Sequence, residues 1–283
     1  MSEKKPITSA KSQRIAMAIE YDGSVFSGWQ RQLSPDLATV QGAIEKALSQ
    51  VAGEVVVTHC AGRTDAGVHA SCQVLHFDTK IDRGSKAWFM GVNSLLPKAV
   101  RVVWSRKVTE NFHARFSATA RRYCYVIYTA NVASAILDSK VTHSYQELNS
   151  DAMDQGAQLL LGELDFSSFR AAGCQSKTPY RFVRHARVVK QGPFLIFDIK
   201  ANAFLQHMVR NIAGALLEIG KGKRRPSWIS ELILAKDRKA AGIAAPPHGL
   251  YLIAIDYPKE HGLPVSYRLP LFLNINKGWG MPN

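Results

Sequence analysis

Val55-Val56-Val57-Thr58-His59-Cys60-Ala61-Gly62-Arg63-Thr64-Asp65-Ala66-Gly67-Val68-His69-Ala70 is the stretch from which the rest of the chain can be read. It opens on a β-branched, strand-like run, Val55 to His59, and Gln73-Val74-Leu75-His76-Phe77 beyond it is another. Between the two runs, Gly62 and Gly67 bracket Arg63-Thr64-Asp65, so the backbone can turn sharply or come close to a ligand. The small residues Ala61, Ala66 and Ala70 leave room for something bulky. A cation and a carboxylate two residues apart thus sit on a loop between rigid strands, where functional groups are commonly displayed. Taken alone, near a glycine, Asp65 reads as a turn aspartate bonding its own backbone; the whole string is what sets it apart.

Working outward, Ile15, Met17, Ile19 and Tyr21 alternate with Ala16, Ala18 and Glu20, which predicts a first strand. Val40, Ile44, Leu48 and Val51 follow helical spacing up to a stop at Gly53. Ser85 is the expected cap of a helix carrying Trp88, Phe89, Val92 and Leu95 and ended by Pro97. Val100, Val102 and Trp104 make another strand, and Arg121 to Tyr128 a further one. Met153, Ala157, Leu160 and Leu164 predict a helix capped near Ser150. Phe182–Val189 and Phe194–Ala201 form a hairpin, Leu205–Ile219 a helix ended by Gly220, Trp228 to Leu234 a shorter helix, and Gly249 to Ile255 a last strand. The pattern predicts an α+β fold of two similar halves, each a mostly antiparallel sheet with helices on one face. The expected division is a tail at 1–13, a domain at 14–110, a second at 111–257 and a tail at 258–283. No short repeat period is present.

The chain of 283 residues is 46% hydrophobic and 20% charged, as in an ordinary folded protein. Its 36 Lys and Arg against 22 Asp and Glu leave a formal charge of +14, which points to a polyanionic partner. No apolar run long enough for a membrane span exists, and Met1 to Gln13 lacks the apolar core of a signal peptide. Nucleic acid is therefore favoured over a membrane. The four cysteines (Cys60, Cys72, Cys124, Cys174) form no Cys-x-x-Cys pair, which suggests a reduced, cytoplasmic setting. His59, Cys60, His69 and Cys72 invite a zinc reading, but neighbours on a strand point to opposite faces, so His59 and Cys60 make poor co-ligands and no metal is expected.

Basic residues gather in three places: Arg101, Arg106, Lys107, Arg115, Arg121 and Arg122; Arg181, Arg184, Arg187 and Lys190; and Lys221 to Arg225. The last run reads equally as a solvated face. On a regular strand Arg181, His185 and Arg187 would share one side. If the two halves met with such faces inward, they would enclose a positive cleft suited to a phosphate backbone.

Gly62-Arg63-Thr64-Asp65-Ala66-Gly67-Val68-His69 closely resembles the catalytic loop of the tRNA pseudouridine synthases of the TruA class. Three more stretches carry the same resemblance: Phe112-His113-Ala114-Arg115-Phe116-Ser117-Ala118 leading into Arg121-Arg122-Tyr123, Asn202 to Gly214 with its His207-Met208-Val209-Arg210, and Gly249-Leu250-Tyr251-Leu252. With Gly28-Trp29-Gln30-Arg31-Gln32, it runs from about Ile15 to Ile255. The resemblance implies isomerisation of uridine to pseudouridine at positions 38 to 40 of the tRNA anticodon arm. No cofactor is implied, since no external electron or phosphate is needed, and no phosphate-binding glycine loop is present. A homodimer, with one tRNA spanning both subunits, is also implied by the family alone.

Residue by residue, the resemblance assigns Asp65 as nucleophile or charge stabiliser, acting at C6 of the base or C1′ of the sugar. Arg210 pairs with it and keeps it ionised. Tyr123 stacks on the uracil and takes the C5 proton. A uridine inside a stem must be flipped out, and Arg63 enters the vacated space. Leu250 is the apolar wall, while Arg83, Phe112 to Phe116 (with His113, Ala114 and Arg115) and Gly173, Cys174, Gln175, Ser176 and Lys177 contact tRNA. The alternative is a non-catalytic structured-RNA-binding protein of the same fold. The presence of Asp65, Tyr123 and Arg210 together argues against it. A nuclease would need acidic metal clusters or paired histidines, and the sequence offers neither.

Overall fold

The computed structural model describes residues 12–32, 37–264 and 267–273. The rest of the expected tails, 1–11, 265–266 and 274–283, lies outside the described residues. The chain runs through β1 (Gln13–Tyr21), α1 (Val40–Ala52), β2 (His59–Cys60), β3 (His69–Thr79), α2 (Gly84–Lys86), a π turn (Ala87–Gly91), α3 (Val92–Leu95) and β4 (Val100–Val108). It continues through β5 (Ala120–Thr129), β6 (Thr142–Ser144), α4 (Ser150–Gln158), β7 (Gly162–Asp165), β8 (Tyr180–Gln191), β9 (Phe194–Ala201), α5 (Met208–Gly220), α6 (Trp228–Ala235) and β10 (Leu250–Asp256).

The α+β expectation holds: ten strands form one mostly antiparallel sheet in the order β4-β1-β3-β10-β5-β9-β8-β7, with β2 on β3 and β6 on β5. Among the described residues the two expected sheets are joined as one. β10, from the end of the chain, inserts beside β3 in parallel (Tyr251 opposite His69) and beside β5 antiparallel (Leu252 opposite Tyr123), and so seals the two halves edge to edge. The helices add their buried residues to one large core with the sheet. On β5, Tyr123, Tyr125 and Ile127 belong to that core, while Cys124 and Val126 belong to a smaller core with Ile196, Tyr251 and Ile253. Leu269 and Leu273, within the segment expected as a tail, complete that smaller core.

Several boundaries differ from the sequence expectations for definite reasons. Val55 to Thr58 is not part of a strand, although Val56 and Thr58 are buried and Val55 and Val57 exposed. Two of its amides are taken by α1 instead: Ser49 Oγ accepts from Val56 N at 3.0 Å and Glu45 Oε1 from Thr58 N at 2.8 Å. The expected cap Ser85 lies inside α2, and Asp82 accepts from Gly84 N in its place. Leu164 falls in β7, because the chain turns at Gly162 (φ 94°) after α4 ends. α5 begins only at Met208, since His207 has a left-handed backbone. On β8 the pairing with β9 shifts between Val183 and His185, so alternation breaks: Arg181 is buried and Arg187 exposed. The expected arginine row on one face therefore does not form.

Candidate active site

The Arg63-Thr64-Asp65 loop is held on both sides of Arg63. Ala61 N donates to Val74 O (2.8 Å), and Gln73 Nε2 donates to Gly62 O (2.5 Å). Thr64 O accepts from Trp29 N at 3.0 Å, and its hydroxyl meets the buried Tyr21 hydroxyl at 2.7 Å. Gly28, at φ 98°, lies backbone against backbone with the loop; a Cβ there would stand 3.1 Å from Thr64 O and 3.3 Å from Asp65 C. A larger residue in that left-handed conformation would push directly on the carboxylate's own backbone. The glycine of the Gly28-Trp29 stretch thus has a local reason, and the Trp29 ring is buried 6.1 Å from that of Tyr21.

His69 fixes the end of the loop. Its Nδ1 accepts from Gly23 N (3.1 Å), which leaves the proton on Nε2 to be donated to Ser139 O (2.9 Å). The bonding assigns a neutral ring, so the nearby Asp22 carboxylate at 3.2 Å is not its ion-pair partner. Burial agrees, lowering the His69 pKa to about 4. Asp22 is instead paired with Lys140 at 2.5 Å.

From this fixed loop Asp65 presents a carboxylate whose side chain keeps 31% of its exposure. Two groups from the second half reach the same oxygen. Arg210 Nη1 lies 3.5 Å from Oδ2, and His207 Nε2 lies 3.4 Å from it. Both stand at the start of α5, where the helix end also favours negative charge. Arg210 is itself tethered, its Nε donating to Ala245 O at 2.9 Å. Of the two contacts to Oδ2, only that of Arg210 is a hydrogen bond, at the weak end of the range, as is usual before a substrate closes a site.

Tyr123 lies beside the loop: a Cβ on Gly62 would be 3.8 Å from its hydroxyl. Its ring meets Phe204 edge-on at 5.1 Å. Burial raises its pKa; Arg121 opposes the shift and the Asp65 charge adds to it, so the phenol stays protonated. Arg121, grouped in the sequence with cations expected to face a polyanion, is spent internally. Its guanidinium bonds Ala118 O, Asn202 O, Ala61 O and Arg115 O at 2.7–3.1 Å. It clamps the Asp65 loop to the second half. Arg122 is buried in a two-pronged pair with Asp198, which His185 also contacts at 3.0 Å.

The other expected site residues divide into surface and interior. Arg63 is exposed. Phe112 and Ala114 are fully buried, Phe112 against Tyr257 and His261, so the segment offers a partner only Arg115 and Phe116 with His113 beneath them. Phe116 is 75% exposed, and the Arg115 guanidinium lies 5.5 Å from its ring centre. In the next segment Gly173, Gln175 and Lys177 are exposed, while Cys174 and Ser176 are half-buried. Arg170 bonds Cys174 O and Ser176 O, and Gln206 N donates to Cys174 Sγ, so this loop packs against the turn that leads into α5. Leu250 is buried at the head of β10. Arg83 is exposed, with its Nε on Val51 O at the end of α1. His207 was given no role by the sequence; only its place one turn before Arg210 could have marked it.

A fixed carboxylate meeting an arginine from the other half of the chain, beside a buried tyrosine, is the constellation by which known proteins can be compared. The tRNA pseudouridine synthase family matches this chain over residues 17–117 and 157–258, blocks that hold Asp65 and Arg210 with Tyr123 between them. The chain belongs to that family. More particularly, it is similar to the tRNA pseudouridine synthases A. Those of Aliivibrio fischeri strain MJ11 and Pectobacterium atrosepticum are each 54% identical, covering 92% of this chain and 99% and 91% of theirs. That of Escherichia coli strain SMS-3-5 is 53% identical over 92% of this chain and 96% of its own.

Proposed function

We propose that this chain isomerises uridine to pseudouridine at positions 38 to 40 of the tRNA anticodon arm, with Asp65 as the catalytic carboxylate. The observation that carries this reading is the meeting of Asp65 with Arg210 across the junction of the two halves, on a carboxylate still open to solvent. The N1–C1′ bond breaks, the uracil turns, C5 bonds to C1′, the C5 proton is lost and N1 gains one; atoms and electrons balance within the nucleotide. Extruding the nucleotide costs a few kcal/mol, which stacking and phosphate contacts offset. Arg63, exposed two residues from Asp65, enters the space left in the stem. The Tyr123 ring supports the base. Its raised pKa weighs against the hydroxyl as the base that removes the C5 proton, because that role needs the phenolate.

Arg115, Phe116, Gly173, Gln175 and Lys177 are the exposed groups offered to the RNA from the two loops beside the site. A bare phenyl ring backed by a guanidinium suits an unpaired base. Leu250 backs the site from the core. Arg83 meets RNA only at a distance from Asp65, along the end of α1. The positive balance of the chain serves the phosphate backbone. The enzyme works as a cytoplasmic homodimer with halves at 14–110 and 111–257, a state that sedimentation of the purified chain would report.

The decisive experiment is Asp65→Ala with unmodified tRNA as substrate. Pseudouridine, mapped base by base, should disappear while tRNA binding stays near its wild-type level. Product formed at the wild-type rate would end the assignment, and product outside positions 38 to 40 would end the site specificity.

A further inference from the structure

We propose that His207 is a positioning residue for the Asp65 carboxylate, an inference that rests on Asp65 being the catalytic group. His207 precedes α5 with φ 61° and ψ 2°. Residues at this place in a helix favour extended backbone and a short side chain that bonds the free amides of the first turn. His207 has neither feature, and its ring makes no bond to the helix. A histidine held in the left-handed region brings α5 no local gain. Such strain persists where the surroundings impose it, often at functional sites.

The conformation delivers the imidazole to Asp65. Nε2 stands 3.4 Å from Oδ2, beside Arg210 Nη1 at 3.5 Å from the same atom. Arg210 does not grip the carboxylate as a two-pronged fork: its Nε is engaged by Ala245 O, which removes the side-on fork, and it reaches Oδ2 through Nη1 alone. A carboxylate held through one nitrogen alone is free to swing. The His207 ring nitrogen stands against Oδ2 without a formed hydrogen bond and limits that swing, and among the described residues no hydrogen bond reaches Oδ1. His207 and Arg210 thus hold one oxygen and leave the other to the uridine.

The test compares two substitutions in the full chain under single-turnover conditions. His207→Gly removes the ring but suits the left-handed backbone, so the fold should melt at the wild-type temperature or above. Its rate should fall about 10- to 100-fold, as expected for a reacting group that has lost its orientation. Its affinity for tRNA should stay within about twofold of wild type, since the lost contact is to Asp65 and not to RNA. His207→Gln places an amide N–H within the same reach and should restore most of the rate. His207→Gly at the wild-type rate, a loss carried wholly by tRNA affinity, or His207→Gln as slow as His207→Gly would each overturn the proposal. Failure of the functional reading looks different: the wild-type chain itself would leave tRNA uridines unmodified.

Discussion

Arg121, Arg122 and Arg63 show how little a residue's type says about its use. In the sequence all three are cations of a basic protein. In the structure Arg121 binds four carbonyls, Arg122 is buried against Asp198, and only Arg63 faces solvent from a fixed loop. Arg63→Ala therefore removes no hydrogen bond or ion pair among the described residues and should leave stability within about 0.5 kcal/mol of wild type. Its effect should fall on nucleotide extrusion, lowering the single-turnover rate by about 100-fold. Chemical denaturation and rapid-quench kinetics on the same sample separate the two effects, and an unchanged rate would refute the role given to this side chain. Asp65 itself was legible because its neighbours form a long, specific string. His207 was not, because its role depends on a backbone angle that no residue type announces.

At the scale of elements, α5 is the part that brings the second half to the loop. Its packing is close: a Cβ on Gly214 would stand 2.2 Å from Ile243 O, a backbone atom that cannot step aside. The neighbouring strand of chain is the one whose Ala245 bonds Arg210 at both its amide and its carbonyl. Gly214→Ala should therefore push α5 off this segment, lowering stability by about 1–3 kcal/mol. Activity should fall at temperatures where the variant is still folded, because Arg210 moves with the helix. A variant as stable as wild type in urea would show that the contact relaxes freely. The helical spacing and the Gly220 stop placed α5 in the sequence; its true start did not show there, because Leu205 is apolar and buried although it precedes the helix.

For the whole molecule, the sheet joins residues from both ends of the chain, and two histidines inside it make that union sensitive to acid. Burial lowers His69 to about 4 and His76 to about 3, from an ordinary value of 6.5. Both are neutral in the folded chain. Below about pH 6.5 the unfolded chain binds protons that the folded chain refuses, so stability is full above that pH and falls as the pH drops, by up to about 1.4 kcal/mol per unit for each ring. Urea titrations should find the protein roughly 2–4 kcal/mol less stable near pH 5 than near pH 7. Equal stability at the two would contradict the neutral, buried state of these rings. Because β10 pairs with strands of both halves, unfolding at either pH should occur in one transition.

By itself the sequence determined the alternation of strands and helices, the mostly antiparallel α+β class, the family and the chemistry-bearing loop, since period, glycine placement and a contiguous motif are all local properties. The tertiary structure alone decided that the halves share one sheet, which arginines face outward, and that His207 joins Arg210 on one oxygen of Asp65. Those depend on strand order, a shifted register and a single left-handed residue, and they bring together groups more than a hundred residues apart that no local pattern relates.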